Sequence, residues 1–144
     1  MPGWVSEGFA EYQKRLTQEV TLQLTETQIA KRGKNADIEK LIEKEGKDLL
    51  QQHSSQDLLV ALDVKGKALS TEDLAQQLNQ WQQEGRNISM LVGGPDGLSR
   101  DCLQQAEFKW SLSPLTLPHP LVRVLLAEQI YRAWTINKGH PYHK

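Results

Sequence analysis

Apolar residues recur along this chain with two different periods. Val5, Phe9, Tyr12 and Leu16 fall on one helical face, so the spacing predicts an amphipathic helix over residues 3–17. Val20, Leu22 and Leu24 then alternate with Thr21, Gln23 and Thr25, the period of a half-buried strand. A polar basic stretch, Lys31-Arg32-Gly33-Lys34, reads as a loop. Asn35 is placed to cap a second helix whose stripe is Ile38, Leu41, Ile42, Leu49 and Leu50. Gly46 lies inside that helix, where it costs roughly 1 kcal/mol of helix propensity.

Leu58-Leu59-Val60-Ala61-Leu62 is short and continuously apolar, as a strand covered on both faces would be. Ser70 and Asp73 can cap the next helix, with stripe Leu74, Leu78 and Trp81 and a stop at Gly85. Ile88 to Val92 reads as another buried strand. After a glycine-rich turn come a short helix over 99–106 and a strand at Trp110-Ser111-Leu112. The last helix starts near Pro120, a good first-turn residue, and runs to about Asn137. Its stretch Leu121–Ala127 has Arg123 as its lone polar residue, so burial on more than one side is expected, with a two-fold homodimer as the commonest solution. Strands alternating with helices predict an α/β fold with a mostly parallel sheet and helices on both faces.

A length of 144 residues suits one domain. Four Trp and an apolar fraction of 38% favour a packed core over disorder. The single cysteine, Cys102, cannot form an internal disulfide and reads as structural. It points to a reducing compartment, with the cytoplasm as default. No apolar run is long enough to span a membrane, and the N-terminus lacks the pattern of a signal peptide. The formal net charge is −1, but residues 100–144 carry 6 basic and 3 acidic side chains, so an anionic partner is expected there.

Two segments stand out chemically. Gly93-Gly94-Pro95-Asp96-Gly97 joins a strand to a helix, where ligands of parallel sheets bind. It matches neither a dinucleotide fingerprint nor a phosphate loop. Leu112-Ser113-Pro114-Leu115-Thr116-Leu117-Pro118-His119-Pro120 is apolar and proline-rich, suited to a flat heteroaromatic ligand such as adenine. His119 alone reads most simply as a cap of the last helix. The tail His140-Pro141-Tyr142-His143-Lys144 is aromatic and basic, a composition that stacks on bases and pairs with phosphates. No CxxC, HExxH or Gly-x-Ser-x-Gly pattern occurs, so no metal site is expected. Taken alone, these patterns leave open a non-catalytic nucleotide-binding α/β module.

The combination Lys31–Ile38, Leu62-Asp63, Gly93–Gly97, Trp110–Ser113, Leu115–Val124 and His140–His143 closely resembles the ribosomal RNA large subunit methyltransferase H family, of the SPOUT class. The resemblance covers the whole chain. It implies a single SPOUT-type domain over 1–144, a C-terminal trefoil knot and a homodimer. The implied activity is transfer of methyl from S-adenosylmethionine to N3 of a pseudouridine in large-subunit (23S) rRNA, free or within the subunit or ribosome. A knotted methyltransferase acting on another RNA is the alternative within the class. By resemblance, the cofactor contacts fall on Leu62, Gly93, Gly94, Leu112, Ser113, Pro114, Leu115, Thr116 and Leu117. Tyr142, His119 and Arg123 are the residues assigned to the reaction, and Arg32, Lys34, His143 and Lys144 those assigned to RNA. The family's first strand, which precedes the Met-Pro of this chain in its members, has no counterpart here, and Lys144 stands where an arginine is usual.

Overall fold

A computed structural model describes residues 3–16, 20–27, 31–94 and 96–143, the side chain of His143 excepted. In chain order the elements are α1 (Gly3–Arg15), α2 (Ile38–Gln51), β1 (Leu58–Ala68), α3 (Thr71–Glu84), β2 (Ile88–Leu91), α4 (Arg100–Gln105), β3 (Phe108–Ser111), α5 (His119–Lys138) and a 3-10 turn (Pro141–His143). They gather into two compact units, neither a continuous stretch of chain. One holds α2, α4 and the three strands. The other holds α1, α3, α5 and the 3-10 turn.

The sheet is parallel throughout, in the order β2-β1-β3. Its central strand carries the continuously apolar run: Leu58, Leu59, Val60 and Ala61 are all buried. Such a run pays off only with a neighbour on each edge and cover on the faces. Leu59 and Leu91 pack on Cys102 of α4, with Leu49 and Leu50 of α2 and Leu98 against them. The edge strand β2 departs from expectation, because its first three residues are only half-buried and Leu91 alone is buried. β3 begins earlier than the pattern suggested, at Phe108, and ends at Ser111.

Residues 20–27 form neither helix nor strand, so the sheet has three strands among the described residues rather than four. Alternation makes a strand only where a partner edge is available. Here the segment is instead tied to α1, whose Gln13 Nε2 donates to the Leu22 carbonyl at 2.6 Å.

Helix ends follow capping chemistry. Ser70 and Asp73 form the reciprocal capping box of α3, and Gly85 ends that helix in the left-handed region at φ 72°. Asp37 caps α2 by accepting from Lys40 N at 3.3 Å, in place of Asn35. Pro118 occupies the N-cap of α5 with no side-chain cap bond, so His119 is not a cap. In α2, Gly46 is set by packing. A Cβ there would overlap Ser99 Oγ and lie 2.7 Å from Ser99 Cβ and 3.3 Å from Cys102 Sγ.

In the helical unit, α5 packs on α1 and α3. Val124 of α5 lies so near Gly8 of α1 that an added Cβ would sit 3.2 Å from its methyls. From Ala127 onward α5 buries Ala127, Ile130, Tyr131, Ala133, Trp134 and Thr135, whereas Leu121, Val122, Leu125 and Leu126 are half-exposed.

Candidate active site

Parallel pairing in the order β2-β1-β3 sends the three carboxyl ends the same way. Leu62 of β1 pairs with Trp110, one residue from the carboxyl end of β3, while β2 runs into Gly93 and Gly94 and β3 runs into Leu112. These expected cofactor residues therefore converge on one end of the sheet. Leu117 falls in the helical unit instead.

At Leu62 the central strand changes register. Leu62 and Lys67 both pair with Trp110, so residues 63–66 bulge out before Ala68 pairs with Ser111. Gly66 permits this: a Cβ there would lie 2.7 Å from the Lys109 carbonyl and 2.8 Å from Trp110 N. Gly66 lies beyond the run read as a strand and carried no signal of its own, whereas within a strand a glycine marks bulges and close backbone approach.

The glycine turn is built from its own backbone. Gly94 and Gly97 form a bridge, with Gly97 N donating to the Gly94 carbonyl at 3.1 Å, and Gly97 sits at φ 86°. A Cβ at Gly93 would lie 2.6 Å from the Gly97 carbonyl carbon. Glycine is thus needed at Gly93 for the turn to close on itself, whatever it binds. Ser99 follows as the N-cap of α4, accepting from Cys102 N at 3.2 Å.

The proline-rich loop lies at the surface rather than buried. Ser111 Oγ donates to the Ser113 carbonyl at 3.1 Å, and Leu115 N donates to Ser113 Oγ at 2.9 Å. That small network shapes the backbone and leaves Leu115 70% exposed. At the root of the loop Trp110 is buried, and its Nε1 is a donor with no protein partner.

Arg32, expected to face RNA, is already ion-paired. Its Nη1 and Nη2 donate to the two oxygens of Glu45, the latter at 3.1 Å, and Nε donates to Asp96 Oδ2 at 2.9 Å. These bonds, those from Glu45 foremost, raise its pKa further. Lys31 and Lys34 on either side are exposed. Glu45 and Asp96 were not anticipated as site residues, since Glu45 is one of three glutamates in α2 and nothing local marks it as the buried one.

His119 and Arg123 stand one turn apart on α5. Burial lowers the His119 pKa below its ordinary value, and the Arg123 charge adds to this. Tyr142 lies farther along. Its ring meets Tyr131 edge-on at 4.6 Å, and the Arg132 guanidinium lies 5.0 Å from its centroid. From Arg123 to Tyr131 the helix rises about 12 Å, so these contacts hold Tyr142 well away from His119 within the unit. Burial, then a hydrogen bond with Tyr12, pushes the Tyr142 phenol up to about 12. It is a neutral donor at physiological pH. Lys144 and the side chain of His143 lie outside the described residues.

A protein-family comparison gives a match over residues 1–143 to the family described as predicted SPOUT methyltransferase. The chain belongs to the SPOUT methyltransferase family. It is 57% identical over its full length to the ribosomal RNA large subunit methyltransferase H of Hahella chejuensis, covering 92% of that protein. It is 56% identical to the protein of the same name from Saccharophagus degradans and 54% identical to that from Pseudomonas putida, covering 93% of each. A SPOUT methyltransferase takes a methyl donor, and the glycine turn and the exposed proline-rich loop follow two strands that finish at the same end of the sheet. No helix among the described residues is long and apolar enough to cross a membrane.

Proposed function

We propose that this chain methylates N3 of a pseudouridine in large-subunit (23S) rRNA, using S-adenosylmethionine. The observation that carries the reading is the convergence of Leu62, the Gly93-Gly94 turn and the Leu112–Thr116 loop on one end of the sheet. It occurs in a chain more than half identical to named rRNA methyltransferases. Leu62, Gly93, Gly94 and residues 112–117 would hold the cofactor, whose sulfonium supplies an already activated methyl group. The protein's task is then alignment and management of one proton. His119, whose pKa burial and Arg123 lower, is unprotonated near pH 7 and would offer a ring nitrogen as a hydrogen-bond acceptor toward the N3 proton. Tyr142, held protonated, donates a hydrogen bond and offers a ring face to the target base. N3 lies on the pairing edge, so the base must be presented unpaired.

The half-exposed Leu121, Val122, Leu125 and Leu126 on α5 supply a face for a second copy, in keeping with the homodimer of the resemblance. In such a dimer the tail of one subunit would complete the site of the other, which accounts for Tyr142 standing apart from His119 in its own chain. Lys31 and Lys34, with His143 and Lys144 of the tail, would meet phosphate. We read residues 1–144 as one domain with the trefoil knot of the class, acting in the cytoplasm.

Calorimetry tests the cofactor assignment. The protein is expected to bind S-adenosylmethionine and not a nicotinamide dinucleotide, with Leu115→Asp weakening the former. Preference for the dinucleotide, or undiminished affinity in Leu115→Asp, overturns it.

A further inference from the structure

Arg32 sits in the basic loop, where a surface cation would suit an anionic partner, yet its guanidinium joins three segments of one unit. It forks onto Glu45 of α2 and reaches Asp96 of the glycine turn with its Nε. Glu45 is only 6% exposed. A carboxylate so deeply placed needs a matched cation, and the planar fork of arginine is the group that satisfies both of its oxygens. Asp96 lies between Gly94 and Gly97, whose mutual bridge closes the turn. The next residue of α2, Gly46, presses on Ser99, the cap of α4 just beyond that turn. Adjacent residues of one helix thus brace the turn on both sides: Glu45 through Arg32 at Asp96, and Gly46 directly at Ser99.

We infer that Arg32 is a positioning residue, anchored by Glu45 and holding Asp96 so that the Gly93–Gly97 turn keeps its cofactor-binding shape, rather than a phosphate contact. This rests on the proposal that the turn borders the methyl-donor site. Two properties separate the roles. A phosphate contact needs charge, which lysine keeps, whereas a clamp on two carboxylates needs the fork, which lysine lacks. A phosphate contact also adds to the salt dependence of RNA binding, whereas a clamp does not.

The test uses wild type, Arg32→Lys, Arg32→Gln, Asp96→Asn and the double variant Arg32→Gln/Asp96→Asn, each checked for folding. Affinity for S-adenosylmethionine is read by calorimetry, and the KM and kcat for methyl transfer to ribosomes are measured. The clamp predicts about tenfold weaker cofactor binding in all three single variants, as loss of a charge-assisted bond implies. KM for the cofactor rises while kcat at saturation holds. The double variant is no worse than Arg32→Gln alone, since both remove one interaction. The slope of ribosome affinity against salt stays that of wild type. Wild-type cofactor affinity in Arg32→Lys or Asp96→Asn, additive losses in the double variant, or a reduced salt slope in Arg32→Gln would overturn the inference. Should Arg32→Gln fail to fold, Asp96→Asn decides, because the Asp96 side chain is 38% exposed and its loss leaves no buried charge. A wild-type protein that ignores S-adenosylmethionine is a separate result, which removes the site reading itself.

Discussion

Replacing Gly46 by alanine sets two physical effects against each other with opposite signs. In an isolated helix the change gains about 1 kcal/mol, because glycine is the poorer helix former. Here the new methyl would overlap Ser99 Oγ and sit 2.7 Å from Ser99 Cβ. Forcing one carbon into a packed contact costs about 1–3 kcal/mol. Ser99 Oγ also accepts from Cys102 N as the cap of α4, and displacing it forfeits about 1 kcal/mol more. The net expectation is a loss of about 1–3 kcal/mol. Urea unfolding at fixed protein concentration reads it directly. With a slope of about 2 kcal/mol per molar, the midpoint should fall by about 0.5–1.5 M at unchanged slope. The double variant Gly46→Ala/Ser99→Ala should lose less than the sum of the single losses, since removing the hydroxyl removes the nearest obstruction. A midpoint that rises in Gly46→Ala would mean that α2 and α4 do not meet as described.

Other expectations follow from single contacts. Ser70→Ala should cost about 1 kcal/mol by removing the α3 capping box, read as a lower urea midpoint. The His119 imidazole should titrate below 6.5 by NMR, and Arg123→Gln should move it upward. Because the folded protein takes up that proton less readily than the unfolded chain, this group's contribution to stability is full above pH 6.5. It is lost as the pH falls toward the folded value. Leu125→Glu should turn a dimer in sedimentation into a monomer, because it would place an unpaired charge in an apolar interface. Deleting residues 142–144 should abolish methyl transfer while leaving S-adenosylmethionine binding nearly intact, and full activity would remove the role given to the tail.

Elements whose signals are local were legible in the sequence. Ser70, Asp73 and Gly85 fix both ends of α3 through bonds within one turn of chain, so their residue types suffice. The run at Leu58–Leu62 also announces a strand covered on both faces, and Leu58, Leu59, Val60 and Ala61 are buried. Features that depend on a distant neighbour were not legible. The alternation at Val20–Leu24 suits a strand, but pairing requires a partner edge that local pattern cannot name. Gly46 reads as a flaw in a helix until Ser99 is seen against it. Likewise Arg32 reads as a surface cation until Glu45 and Asp96, 13 and 64 residues away, close on it. The segments proposed to form the site were named from the sequence, whereas the bracing behind them is a property of the packing.

We propose that this chain methylates one base of large-subunit rRNA. Incubation with tritiated S-adenosylmethionine and ribosomes from a strain lacking the enzyme tests it most directly, with the labelled RNA digested and its modified nucleoside identified by mass spectrometry. Label should be confined to large-subunit rRNA, in a single N3-methylated pseudouridine. Label on a different RNA or a different atom, or no transfer by protein that binds the cofactor, would contradict it.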